Sequence, residues 1–196
     1  MKYFSFFLFT SFFAFQIISC GPAKKSQPEP IKLFQENAGD WIKQGNADWQ
    51  FNQSELVGKL DTGAGFVITE TVYDNFVLQM EFNPDSTINS GVFVRCAGYE
   101  MTPIICHEIN IWDLHPNQDF RTGAIVTKVK PFEKVETLNK WNTYKIKCEQ
   151  GQTQVWVNDV LTAEISDDSL LKGHIGLQAA GAGEIRFRNI VLNELK

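Results

Sequence analysis

Glu108, Asn110 and Trp112 stand two residues apart in the run Cys106–Trp112, CHEINIW. Side chains two apart on a β-strand share a face. A strand here therefore lines up a carboxylate, a carboxamide and an indole, and turns His107, Ile109 and Ile111 toward a core. The carboxylate can act as a base, the carboxamide can give and accept hydrogen bonds, and the indole can stack on the apolar face of a sugar ring. A second run, Ile88–Cys96 (INSGVFVRC), places Asn89, Gly91, Phe93 and Arg95 on one face by the same rule. Gly91 clears space for a ligand or another backbone. Arg95 offers a planar fork of donors for a carboxylate or for sugar hydroxyls. The plain alternative is a solvent-facing Arg95 paired with Glu108 on a neighbouring strand. Gln178, on the face opposite Ile175 and Leu177, extends the polar set.

The residues around this line are read more plainly. His107 shares its face with Ile109 and Ile111, which predicts a hydrogen-bonded core histidine rather than a ligand. Trp112 reads as packing ahead of a stacking platform for a sugar ring. Asp113 and His115 follow the strand on a loop, where binding residues often sit. As a metal site they supply two ligands, which falls short of a recognisable signature, so a divalent cation is a candidate without a defined donor set. EINIWD, residues 108 to 113, is reminiscent of the E-x-D-x-x-E signature of family-16 glycoside hydrolases, with Asn110 for the middle Asp and Asp113 for the last Glu. Retaining hydrolysis needs carboxyl groups about 5–5.5 Å apart. Residues five apart on a regular strand lie on opposite faces, roughly 16 Å from one another. Only a β-bulge would reunite Glu108 and Asp113, so two-carboxylate chemistry is disfavoured. No P-loop, GxGxxG, GxSxG or HExxH pattern is present. Gly181-Ala182-Gly183 has no helix after it and reads as a turn.

The elements that must hold these residues are short runs rich in Val, Ile, Phe, Thr and Trp, divided by turn signals. WQFNQSELVGK, GFVITETVY, FVLQMEF, SGVFVRC, HEINIW, TGAIVTKV, YKIKCEQ, QVWVND, HIGLQA and IRFRNIVLNEL all read as strands. Asn158-Asp159 marks a tight hairpin. DDSLLKG, residues 167 to 173, is a candidate for one helical turn. Such a series predicts an all-β sandwich or barrel of antiparallel sheets, whose outer face can form a polar and aromatic trough. In YKIKC, Cys148 shares a face with Tyr144 and Ile146, as a buried inert thiol would. Cys96 and Cys106 flank a segment holding Gly98 and Pro103 and are candidates for a disulfide in an oxidising compartment.

The chain begins with an apolar run, residues 1–19, that reads as a secretory leader rather than a membrane span. Its end, Ile17-Ile18-Ser19-Cys20-Gly21, resembles a bacterial lipobox, with Cys20 as the lipidated residue; an ordinary secretory cleavage is the alternative. Residues 20–30 then form a Pro-, Ser- and Lys-containing tether, and residues 31–196 the domain. A lipid-modified Cys20 would anchor the protein to the cell envelope without a crossing helix. Gly21 is not an Asp-type retention signal, which favours the outer membrane. Loss of residues 1–19 removes Lys2 alone among the charges, taking the formal net charge from −5 to −6. That balance argues against nucleic acid and anionic lipid heads as partners, while the polar and aromatic trough suits a small molecule or oligosaccharide.

The ordered series WQ…LVGK, DNFVLQMEF, NSGVFVR, HEINIWD, RTGAI, KWNTYKI, VWVND, IGLQ and FRNIVLNEL resembles the 3-keto-disaccharide hydrolase domain family, from Leu33 to Lys196. The resemblance implies a concanavalin-like jelly roll acting on glycosides whose C3 hydroxyl has been oxidised to a ketone. It carries over Asn89, Arg95, Glu108, Asn110 and Asp113 as the polar residues of the motif. Two departures stand out: Asn110 where the family often has Gln, and Ala179-Ala180 where a His often follows IGLQ. The implied chemistry needs one base, Glu108, to take the C2 proton, with Arg95, His115 or a bound cation stabilising the enolate. A non-catalytic carbohydrate-binding lipoprotein and a family-16-like glycosidase are the alternatives.

Overall fold

Alternation of apolar and polar residues produces strands almost throughout the residues described by this computed structural model, 1–2, 28–36 and 39–196. The leader, the lipobox with Cys20 and most of the tether lie outside the described residues. In chain order the strands are β1 (Ile31–Lys32), β2 (Trp41–Gly45), β3 (Asp48–Asn52), β4 (Glu55–Leu60), β5 (Ala64–Thr69), β6 (Phe76–Pro84) and β7 (Ile88–Cys96). They continue as β8 (His107–Ile111), β9 (Asn142–Glu149), β10 (Gln152–Val157), β11 (Val160–Ser166), β12 (His174–Gly181) and β13 (Gly183–Glu194). Every pairing is antiparallel. One sheet has the order β11-β10-β9-β6-β13-β4-β3, with β1 beside β13; the other runs β2-β5-β12-β7-β8. This is the expected all-β sandwich of jelly-roll type.

The period of two decides what lies between the sheets. β9 sends Tyr144, Ile146 and Cys148 inward and leaves Lys145 and Lys147 outward, and β6 does the same with Phe76, Leu78, Met80 and Phe82. These side chains pack against Val67, Val92, Val94, Ile109, Ile111, Ile175, Leu177 and Ala179 of the five-stranded sheet. The outer face of that sheet has its own apolar cluster: Ile68, Phe93, Cys96, Met101 and Cys106, with Phe66, Ile42 and Ile105 against it.

Local turns follow their chemistry. Asn158 and Asp159 both have positive φ, 48° and 66°, as a two-residue hairpin with the twist of its strands requires. WQFNQSELVGK is the hairpin of β3 and β4, turning at Gln53 with φ 61°. Two readings are corrected. TGAIVTKV is a turn-rich segment with isolated bridges from Ile125 to Ile109 and to Val129, because Gly123 and Thr127 have positive φ and break the extension. DDSLLKG forms turns rather than a helical turn. Among the described residues the one helical piece is a 3-10 turn at Gln118–Phe120, capped by the Asn117 side chain on Asp119 N–H.

Candidate functional site

Register sets the site. On the outer face of the five-stranded sheet, Gly91 of β7 lies between Gln178 of β12 and Asn110 of β8, and Phe66 of β5 follows beyond Gln178. The next row holds Ile68, Gly176, Phe93 and Glu108. The row before it holds Ala64, Ala180 and Asn89. With no side chain on Gly91, the two carboxamides bracket a gap. A Cβ there would lie 3.2 Å from the Ile109 carbonyl oxygen and 3.6 Å from Gln178 Oε1.

Both carboxamides are oriented with an oxygen to spare. Asn110 Nδ2 donates to the Phe120 carbonyl, which fixes the amide and leaves Oδ1 without a partner. Gln178 Oε1 is likewise buried and unpartnered. The backbone of Asn110 is gripped from behind: its N–H donates to Ala124 O (3.1 Å), and its carbonyl accepts from Gly123 N–H (3.0 Å) and from Tyr144 Oη (2.5 Å). Tyr144 Oη in turn accepts from Gly123 N–H (3.1 Å), so β9 reaches through the core to lock β8 to the TGAI segment.

Glu108 is half-buried beside Phe93, with neither a hydrogen bond nor an ion pair among the described residues. Burial alone pushes its carboxyl up to about 7. A carboxylate that is costly to ionise and has no cation beside it is a reactive base near neutral pH.

Arg95 corrects the expectation that it joins Glu108, and equally the alternative of a solvent-facing pair. β7 spends three residue steps from Phe93 to Cys96 where β12 spends two from Gly176 to His174, and Arg95 has φ 56°. This β-bulge resets the alternation, so Cys96 resumes the outer face and Arg95 turns inward. Its side chain is fully buried, Nη1 donates to Leu170 O (3.0 Å), and Nε and Nη2 have no partner. Asp113 is also displaced from the expected set. It is buried, accepts from the Thr137 N–H and hydroxyl, and lies 3.7 Å from Arg121 Nη2, so it braces the 113–137 loops rather than facing the trough. Glu108 and Asp113 therefore do not form a facing carboxylate pair.

His107 is the core histidine expected, with Nδ1 3.0 Å from Thr153 Oγ1 and Nε2 3.1 Å from Asp167 Oδ2. Cys148 is buried, and burial pushes its thiol up to about 11 despite the nearby Arg95 charge. Beyond Asn110, Trp112 meets His115 edge to face at 4.5 Å, and His115 meets Phe120 at 5.6 Å. His115 Nδ1 lies 2.8 Å from the Asn117 carbonyl oxygen and 3.0 Å from the Asn117 amide nitrogen, and Nε2 is unpartnered among the described residues. Asn89 is half-buried opposite Ala180.

Cys96 and Cys106 are joined as a disulfide. The loop it closes supplies residues that the strand patterns did not flag. Met101 Sδ lies 2.6 Å from where a Cβ on Gly176 would stand, and Tyr99 stacks on His174 with ring centroids 4.5 Å apart. Both lie between two cysteines, which was the available signal. Among the described residues no group of three or more His, Cys, Asp or Glu could hold a metal ion. Clefts of about 450, 650 and 340 Å³ border the far edge of the larger sheet and include none of Glu108, Asn110 or Gln178. Cleft size and site chemistry thus disagree here, and the unpartnered Glu108, Asn110 and Gln178 outweigh volume.

Residues 29–193 match the family of 3-keto-alpha-glucoside-1,2-lyase-like domains. Among solved structures, one from Parabacteroides distasonis ATCC 8503, called "Putative glycosyl hydrolase", is 25% identical with a TM-score of 0.74, over 86% of this chain and 100% of that one. The carbohydrate-binding module CBM66 from Bacillus subtilis follows the same fold at 16% identity, TM-score 0.63, over 81% and 98% of the two chains. The Bacillus licheniformis beta-glucanase does so at 15% identity, TM-score 0.57, over 88% and 100%. No curated protein matches the sequence.

Proposed function

The chain belongs to the family of 3-keto-alpha-glucoside-1,2-lyase-like domains, and from that premise we propose that it cleaves 3-keto-glycosides at the outer face of the five-stranded sheet. The observation that carries the reading is Glu108: a desolvated carboxylate with no counter-charge, one row from a gap bracketed by two unsatisfied carboxamides. A ketone at C3 acidifies the C2 proton. Glu108 takes that proton, the electron pair forms the C1–C2 double bond, and the C1–O bond breaks with its electrons leaving on the glycosidic oxygen. Gln178 has its Oε1 at the gap and no partner on Nε2, so turning the amide over sets a donor there for the C3 oxygen as it gains charge. We assign the leaving oxygen to His115, whose Nε2 has no partner among the described residues and whose ring packs on Trp112. Water adding at C1 completes net hydrolysis. Arg95 and Asp113 have no part in these steps.

Incubation with a 3-keto-disaccharide and its unoxidised parent tests the reading. We expect products from the ketone alone, and turnover of the unoxidised sugar would overturn it. A parallel arm with chelator reports whether a divalent cation shares the stabilisation of the enolate. The second reading, binding without cleavage, is favoured by Ala180, which fills the outer-face position beside Asn89 where a His would otherwise extend the site; it predicts binding and no product. The envelope anchor is part of the same proposal: Cys20→Ser would release the protein from the membrane fraction.

A further inference from the structure

The geometry points to a trough that is blind at one end, so that the oxidised ring must be the terminal, non-reducing residue of its substrate and the leaving group must run over Trp112. This rests on the proposed reading of Glu108 and adds to it the shape of substrate accepted.

Two ends of the outer face are built differently. Past Glu108 the face is roofed. Tyr99 covers His174, Met101 covers Gly176, and Phe93, Ile68, Cys96 and Cys106 are sealed beneath them. The roof is fastened by the disulfide and by its own backbone, with Ala97 N–H donating to Ile105 O (3.0 Å), Ile105 N–H to Thr102 O (3.3 Å) and Cys106 N–H to Thr102 O (3.0 Å). Glu108 is half-buried opposite fully covered Phe93, which places the base at the edge of the roof. In the opposite direction the line passes Asn110 and reaches Trp112, His115 and Phe120, all half-buried rings.

Four residue steps separate Glu108 from Trp112, about 13 Å along an extended chain. That span suits two pyranose rings laid in line. With C2 at Glu108, the C1 bond and its leaving group point toward the rings, where an indole can take the apolar face of a second sugar or of an aryl group. The C4 side then faces Met101. A residue carrying a further sugar on that side would run into the stapled loop.

The test compares two 3-keto trisaccharides, one oxidised on the non-reducing terminal ring and one on the internal ring, with the unaltered protein. The terminal ketone should be cleaved and the internal one at least 100-fold more slowly; equal rates would overturn the blind end while leaving the proposed function standing. Trp112→Ala should raise KM about 10-fold more for a 3-keto-disaccharide than for methyl 3-keto-glucoside, with Trp112→Phe restoring the disaccharide. An equal change on both substrates would overturn the platform. Turnover of no ketone at all would remove the proposed function and this inference together.

Discussion

Glu108 combines a functional and a thermodynamic signature, and one substitution separates them. Its carboxyl is raised to about 7 by desolvation. The unfolded chain ionises Glu108 near the ordinary glutamate value of 4.5, while the folded protein holds the proton until about 7. The unfolded state then binds fewer protons, so stability falls as pH rises through that window and the loss is complete above it. Glu108→Gln should therefore stabilise the fold by on the order of 1 to 3 kcal/mol at pH 8 and by almost nothing near pH 4, read as the difference in Tm. The same variant should lose at least about 100-fold in kcat on a 3-keto-glycoside, as expected for removal of a general base. Unchanged turnover would reject Glu108 as the base. In the parent protein kcat should climb with pH through about 7 as the carboxylate forms. Arg95 shows the opposite case at this scale: its residue type suits the chemistry, yet a single extra residue in β7 points it into the core.

At the scale of elements, the five-stranded sheet supplies the rows and the 97–105 loop decides how dry they are. Phe93, and Met101 of the loop that the Cys96–Cys106 bridge closes, belong to the apolar cluster beside Glu108. Opening the bridge, whose cysteines are 10 apart in sequence, should cost about 3 kcal/mol from loop entropy. Cys96→Ser is accordingly expected to lower Tm and to rehydrate Glu108, moving the acid limb of the kcat profile below 7. An unmoved limb with a lowered Tm would mean that the loop stabilises the fold without tuning the base. The strands themselves could be read from alternation, and so could the inward Tyr144, His107 and Cys148. The bulge at Arg95 could not, because nothing in Val92-Phe93-Val94-Arg95 breaks the period before the neighbouring strands impose their register.

For the whole molecule, one end of the sandwich is closed by charge. His107 of β8 and Lys128 converge on Asp167 at 3.1 Å each, and the following Leu170 carbonyl holds Arg95. Hydrogen bonds from Ser169 and His107 keep the Asp167 carboxyl below the usual range, and burial keeps His107 below 6.5. Both shifts mean that the unfolded chain binds more protons. Stability should therefore fall as pH drops below about 6.5 for His107 and further below about 4 for Asp167. In Glu108→Gln, where the opposing titration of Glu108 is gone, thermal melts at pH 7, 5.5 and 4 should show a declining Tm, and adding His107→Gln should flatten the upper part of that decline; the same slope in the double variant would place the acid-sensitive group elsewhere. By itself the sequence determined the β architecture, the antiparallel sandwich, the line of Glu108, Asn110 and Trp112, and the family's ordered motifs, because period-two patterning and turn residues are local. Only the tertiary structure decided which polar residues share a surface. Register between distant strands set Gln178 beside Gly91, a bulge removed Arg95, and Thr137 drew Asp113 away, each through contacts between residues that chain order alone does not bring together.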